Sequence, residues 1–329
     1  MVNKNETHAI RINGMTHEGQ GVGKVNNFTV FVDGALEGEL VQVKIIKVGK
    51  SYAVGKLLKI IENSPGRTNP FCTAYGRCGG CSLQHADYGE QLKFKTNVVR
   101  ESIKRIGGLE NVMVHQAVGM TDPMRYRNKA QYPVSLKKLE PAIGFYAKRS
   151  HEVVESPSCG IQDEVSDRVR SVVTEYIKAN GVSIYDEAAG KGLVRHVMTR
   201  MAFRTGEVMV VIVANGSSLP AVENLVERLK KEIQGLKSII LNVNTRNTNV
   251  ILGERNILIY GSETITDYIG KFKFVISPLS FFQVNPIQTE VLYGKALEYA
   301  GLTGEEVVFD LYCGIGTISL FLSEKANKV

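Results

Sequence analysis

The sequence predicts a multi-domain chain: a small, OB-like β-barrel, a central α+β region with a cysteine cluster, and the opening of a Rossmann-like α/β domain. Three observations predict it. Val30, Val32, Val41, Val43 and Ile45 alternate with other residues at a period of two among frequent glycines. Cys72, Cys78 and Cys81 fall close together in a chain with five cysteines. Near residue 307 an apolar strand pattern runs into a glycine loop, Asp310-x-x-x-Gly314-x-Gly316.

Composition bounds the reading. A chain of 329 residues holds two or three domains at roughly 100–200 residues each. With 43% hydrophobic and 22% charged residues, cores can form and gross disorder is excluded. No apolar run approaches the ~20 residues that cross a bilayer, and the opening MVNKNETHAIRING lacks an apolar signal core, so a cytoplasmic protein is expected. A net charge of +7 favours a polyanionic partner without establishing one.

The first domain is expected over residues 1–62. HAIRI, TVFVDGA and ELVQVKIIKVGKSYAVGKLLKII read as short strands, with turns at Asp33-Gly34 and Gly49-Lys50. The frequent glycines permit the tight corners of a closed barrel. Asn63 to Pro70 is a linker by composition. A central domain over residues 63–275 then begins with the cysteines and an amphipathic helix from Glu90 to Gly107, which sets Leu92, Val99, Ile103 and Ile106 near one face. Strand patterns at Glu207–Asn215 and Ser238–Asn244 flank the helical pattern AVENLVERLKKEIQG. The last domain, 276–329, carries FFQVNP, a helix from Ile287 to Ala300, the strand VVFDLYC, the loop GIG and the start of another helix.

Two motifs carry chemistry. Cys72-x5-Cys78-x2-Cys81, with Cys159 downstream in a turn-like Ser-Pro-Ser-Cys-Gly setting, offers four thiolates, and in a reducing compartment such a cluster points to metal. Zinc and an iron–sulfur cluster are both served by four cysteines, and the spacing does not choose between them. The glycine loop sits where Rossmann-like sheets bind a nucleotide-type cofactor. The third glycine of the dinucleotide pattern is missing, since Thr317-Ile318-Ser319 follows Gly316, which argues against NAD and for S-adenosylmethionine. The run Arg125-Tyr-Arg-Asn-Lys129 interleaves charge with an aromatic ring, as RNA-contacting segments do.

The cysteine spacing, Tyr126-Arg-Asn-Lys129, Phe281-Phe-Gln-Val-Asn285 and Asp310-Leu-Tyr-Cys-Gly-Ile-Gly316 together resemble the RNA (uracil-C5)-methyltransferases, across essentially the whole chain. The N-terminal barrel resembles a TRAM domain, an RNA-binding barrel. With a cluster site, that combination resembles the members acting on 23S ribosomal RNA. The resemblance implies a [4Fe–4S] cluster on Cys72, Cys78, Cys81 and Cys159. It implies S-adenosylmethionine contacts from Gln283 and Tyr312 beside Gly314 and Gly316, and a uracil pocket lined by Phe281. Arg127 and Lys129 are the expected RNA contacts, and a monomer is expected.

Uracil C5 methylation needs a cysteine thiolate to add to C6. By resemblance that cysteine and its partner base lie beyond Val329. Cys313 is read as a small packed residue rather than the nucleophile. The expectation is therefore a shortened chain that is inactive as it stands, with Val307–Cys313 as an unpaired strand edge. A non-catalytic RNA-binding metal protein and a radical-type methylthiotransferase are the alternatives. The second is disfavoured because the first cysteine gap is five residues, not three.

Overall fold

The computed structural model describes residues 2–329. The chain divides into two compact units, Met1–Pro123 and Met124–Val329. No helix in the described residues is long and apolar enough to cross a membrane.

In the first unit, five strands close into a barrel in the order β1-β2-β3-β5-β4: β1 (Thr7–Met15), β2 (Gly21–Val25), β3 (Phe28–Val32), β4 (Leu40–Val48) and β5 (Tyr52–Glu62). All neighbours pair antiparallel except β3 with β5. The alternating residues Val30, Val32, Val41, Val43 and Ile45 are all fully buried, so the period of two reports the inward face. Gly55 is required by close approach: a Cβ there would stand 2.1 Å from Val43 Cγ1. The segment after the barrel is more than a linker. Glu39, wholly buried, accepts hydrogen bonds from Leu36 N at 2.8 Å and from Arg67 Nη2 at 2.9 Å, and pairs with Arg67 Nε. Arg67 Nη2 also donates to Gly34 O at 2.7 Å, so Arg67 pins the 63–70 segment across the barrel. Burial pushes the Glu39 carboxyl up, but the bonds from Arg67 and the backbone outweigh it and hold it below its ordinary value.

Helix α1 (Tyr88–Arg105) follows, capped by the Asp87 side chain, which accepts from Glu90 N at 2.8 Å. Its expected apolar face is not sealed: Val99 and Ile106 are exposed, and the buried side chain is Thr96, whose Oγ1 accepts from Ala117 N. One turn of the helix thus docks through a hydroxyl rather than a leucine stripe.

The second unit is built on a six-stranded sheet. Its elements in chain order are β6 (Lys129–Lys137), β7 (Glu140–Ile143), a small pair β8 (Phe145–Tyr146) and β9 (Val153–Val154), α2 (Glu164–Ala179), β10 (Val194–Met201), β11 (Val208–Ala214), α3 (Val222–Glu232), β12 (Leu236–Val243) and β13 (Arg255–Gly261). The order is β13-β12-β11-β10-β6-β7, antiparallel except for β11 with β12. The unbroken apolar run of β11 and the near-continuous burial of β10, β11 and β12 match strands covered on both faces. On one face, Val172, Val173 and Tyr176 of α2 and Leu225 and Leu229 of α3 join Val197, Val210 and Ile239 in the main core.

The other face carries the hairpin β14 (Ile265–Ile269) and β15 (Phe272–Ile276), helix α4 (Pro286–Ala300) and helix α5 (Thr317–Leu322). Phe274, Phe282, Tyr293 and Phe321 pack there with Met198, Met209 and Val211. Buried Asp267 holds the hairpin to the end of β10, accepting from Phe203 N and Arg204 N, both at 2.9 Å.

The expected strand at Val307–Cys313 does not form. Val307 makes only an isolated parallel bridge to Lys328, and Phe309, Leu311 and Tyr312 are 81, 83 and 97% exposed. A strand is defined by its neighbours' hydrogen bonds. Here, among the described residues, Lys328 O alone receives one, from Val308 N at 2.8 Å.

Candidate active site

The loop between β15 and α4 is positioned from the sheet. Arg200 on β10 is 5% exposed, and its Nη2 donates to Pro278 O at 3.1 Å and Ser280 O at 2.5 Å. Asn128, just before β6, donates from its backbone N to Val284 O and from Nδ2 to Gln283 O, both at 2.9 Å. Ser277 and Ser280 exchange bonds across the turn, and Asn285 caps α4 by accepting from Gln288 N at 3.0 Å. The Phe281–Phe282 pair is split by this arrangement. Phe282 is buried against Phe274, with ring centroids 5.6 Å apart, while Phe281 is 67% exposed. An aromatic ring held outward on a braced loop is a platform for a flat ligand.

Positive charge gathers beside the same anchor. Burial, reinforced by the charges of Arg200 and Arg127, holds the Lys129 ammonium below its ordinary value. Arg200 is likewise lowered, to about 10, by burial. None of the three has a carboxylate partner among the described residues. With the Gln162 amide oriented to satisfy its neighbours, its oxygen accepts from Arg127 Nε at 3.2 Å and its nitrogen donates to Lys129 O at 3.0 Å. Uncompensated cations this close favour an anion, and a phosphate backbone supplies one. Arg125 serves structure instead: it adopts φ +52° and its guanidinium bonds Cys159 O and Gln162 O.

The glycine loop is anchored at both ends. Asp310 accepts from Ser319 Oγ at 2.6 Å and from Tyr312 N at 3.2 Å, and Gly316 N donates to Cys313 O. Gly314 and Gly316 take φ of +56° and +77°, and a Cβ on either would meet nothing within 4 Å. The left-handed turn therefore leaves open space for a ligand to approach the backbone. Tyr293 of α4 shares a 2.7 Å hydrogen bond with Thr317, next to Gly316, so this loop and the Phe281–Gln283 loop are braced by one core. Cys313 is exposed rather than packed, because the loop stands off the surface.

Comparison with known proteins gives this geometry its context. A TRAM domain matches residues 2–58, the span of the barrel. An RNA methyltransferase of Clostridium tetani is 55% identical over 328 residues, covering all of this chain and 71% of the relative. Another, of Caldanaerobacter subterraneus, is 53% identical over 98% of this chain and 72% of its own length. The chain belongs to the RNA methyltransferases. Among solved structures, the Pyrococcus abyssi tRNA (uracil-54, C5)-methyltransferase in complex with S-adenosyl-L-homocysteine superposes with a TM-score of 0.75 at 27% identity. That match covers 96% of this chain and 70% of that one. The methyltransferase assignment takes the place of the two alternatives from the sequence, and the expected inactivity finds no support in these matches.

In this RNA methyltransferase the expected four-thiol metal site finds no support among the described residues. Among the described residues, no group of three or more His, Cys, Asp or Glu side chains is placed to hold a metal ion. Cys72, Cys78 and Cys81 lie half-buried in turns of the first unit, Cys78 Sγ accepts from Gly80 N at 3.4 Å, and Cys159 belongs to the second unit. The donor chemistry suits a soft metal, but no assembled group of ligands supports one among the described residues, so no step is built on it. Sequence reasoning missed Arg200, and it quoted Asn128 only within the Arg125–Lys129 run, not as the loop's anchor. The signal was available in β10, where Arg195, His196 and Arg200 interrupt an otherwise buried strand, and such charges are rarely kept inside without a task.

Proposed function

We propose that the chain acts in transfer of a methyl group to C5 of uridine in RNA, with 23S ribosomal RNA as the expected substrate. What carries the reading is the braced loop: Arg200 and Asn128 hold Phe281 outward beside the Arg127–Lys129 cations. Phe281 would receive an extruded uracil on its face. Arg127 and Lys129 would take the adjoining phosphates. Gln283, Tyr312, Gly314 and Gly316 would hold S-adenosylmethionine, whose bound sulfonium supplies the methyl group. Open space over both glycines fits that role.

The chemistry requires a thiolate to add to uracil C6, giving an enolate whose C5 takes the methyl group. A base then removes the C5 proton and the thiolate leaves. None of the described residues is assigned to the thiolate or the base. The solved relative acts on transfer RNA, so substrate choice is what the experiment must decide. The protein is incubated with methyl-labelled S-adenosylmethionine and either 23S ribosomal RNA or transfer RNA, and the RNA is digested to nucleosides. Label recovered as 5-methyluridine from ribosomal RNA is the expected result. Label in another nucleoside overturns the reaction, and label from transfer RNA alone overturns the substrate.

The [4Fe–4S] reading for Cys72, Cys78, Cys81 and Cys159 rests on the family resemblance and on four available thiols. Iron, sulfide and zinc analysis after anaerobic purification tests it: about four irons per chain are expected, and zinc or no metal would overturn it. A cytoplasmic monomer is part of the same reading.

A further inference from the structure

A cavity with a volume of about 270 Å³ opens at the other end of β10 from Arg200. Its walls include Tyr146, His151, Tyr185, Glu187, Arg195 and His196, all in the second unit. Neither the loop at Phe281 nor the glycine loop contributes to it.

The chemistry of the walls is specific. Tyr146 and His151 lie with ring centroids 5.0 Å apart at 31°, and Arg195 lies over the Tyr185 ring, 4.4 Å from its centroid. That gives two flat, π-rich surfaces. Arg195 is fixed by its own bonds to Asn244 O at 2.8 Å and Arg246 O at 2.7 Å, so it serves as wall rather than as a free anion receptor. Glu187 accepts from His151 Nδ1 at 2.8 Å and Tyr146 OH at 3.3 Å. His151 chiefly, and Tyr146 in smaller part, hold its carboxyl below the ordinary value, so it is ionised.

His196 supplies an independent sign of a ligand. It is only 6% exposed, and its Nδ1 has no hydrogen-bond partner. Burial and the neighbouring Arg195 lower it to about 4, so the ring is neutral and offers one donor and one acceptor. An orphaned buried nitrogen in a cavity wall is unfavourable unless something occupies the cavity.

Size and polarity narrow the occupant. The volume lies just below the ~300–1,000 Å³ of drug-sized sites, which suits one flat heterocycle. An ionised carboxylate repels a phosphate and disfavours uracil, whose N3–H is flanked by two carbonyls. It accepts well from an exocyclic amino group. His196 and Arg200 lie four residues apart on β10, or about 13 Å along the strand, so one extended RNA strand can reach both sites.

We propose that this cavity captures an unstacked, amino-bearing base of the RNA substrate, its amino group on Glu187 and its ring against the Tyr146–His151 and Tyr185 surfaces. The inference rests on RNA being the substrate and deepens that reading by adding a second, base-selective contact. Fluorescence anisotropy with labelled decamers of C and of U tests it, on the full chain and on Glu187→Gln, Tyr146→Ala and Lys129→Ala variants whose folding is checked by circular dichroism. Cytidine monophosphate serves as competitor.

The wild type should prefer C over U by roughly tenfold. Glu187→Gln should abolish that preference, and Tyr146→Ala should weaken C binding by roughly tenfold, as for loss of one stacked base. Lys129→Ala should weaken both decamers alike. Unchanged C preference in Glu187→Gln together with unchanged affinity in Tyr146→Ala overturns the cavity proposal alone. Loss in those two variants with none in Lys129→Ala overturns the phosphate role of Lys129 instead. A wild type that binds neither decamer overturns the RNA reading at both sites. If the competitor binds the wild type but not Glu187→Gln while neither decamer binds, the base comes from a free nucleotide and the RNA source is refuted.

Discussion

Replacing Arg200 with methionine should separate site order from global stability. The guanidinium makes two bonds to carbonyls of the Phe281 loop, each worth about 1.5–3 kcal/mol because the donor is charged. Against that gain of roughly 3–6 kcal/mol stands its burial at 5% exposure with no carboxylate partner. Its pKa of about 10, against an ordinary 12.5, corresponds to about 3 kcal/mol opposing the charged form. Methionine fills similar space without charge. The net loss in unfolding free energy should therefore stay within about 3 kcal/mol. The loop is a different matter. Residues Pro278–Ser280, released from the sheet, must be ordered again on binding at about 1–2 kcal/mol each. For three residues that is at least about 3 kcal/mol, which predicts a loss of at least roughly 100-fold in affinity for S-adenosylhomocysteine. Urea denaturation gives the first quantity and calorimetric titration the second. A stability loss above about 4 kcal/mol with unchanged affinity would refute the assignment of Arg200 as the loop's anchor.

Phe281→Ala should leave the urea midpoint unchanged, since the ring is mostly exposed. It should weaken RNA binding by roughly tenfold, which gel shift at fixed salt would detect. Lys129→Ala should lower the slope of log K against log salt by about 0.7–0.9, the value for one phosphate contact, and an unchanged slope would remove Lys129 from the interface. His85 and His196 are each held near 4 by burial, against an ordinary 6.5. Because unfolding lets each ring take up a proton first, stability should be intact above about pH 6.5. It should then fall as pH drops toward 4; a flat unfolding free energy over that window would contradict their buried, neutral state. Glu39→Ala leaves Arg67 unpaired at 17% exposure and should destabilise the barrel by about 3–5 kcal/mol, read from the thermal midpoint.

The barrel was legible because its information is local: a period of two, with glycine where strands cross closely, as at Gly55 against Val43. Helices α1, α3 and α4 and strands β11 and β12 were legible for the same reason, whereas α2 and β10 were not singled out. What escaped was pairing at a distance. Arg67 looks like one residue in a linker until Glu39, 28 positions earlier, is seen buried beneath it. Val307–Cys313 has the composition of a strand, yet composition cannot supply the neighbour that makes one. Phe281 and Phe282 are indistinguishable in sequence, and their opposite exposures follow from Arg200 and Asn128 holding the turn between them.

Strand β10 explains why the candidate site lies where it does. A strand covered on both faces normally excludes charge, because a buried cation without a partner is strongly disfavoured. This one carries Arg195, His196 and Arg200, all nearly buried. Both arginines answer the cost in the same way, by bonding carbonyls of neighbouring loops: Asn244 and Arg246 for one, Pro278 and Ser280 for the other. Each bond converts a rigid strand position into a fixed loop position, which is what a site held to sub-ångström tolerance needs. The two guanidinium groups are thereby used up inside the protein, so what β10 gives the site is the position of its loops rather than free charge.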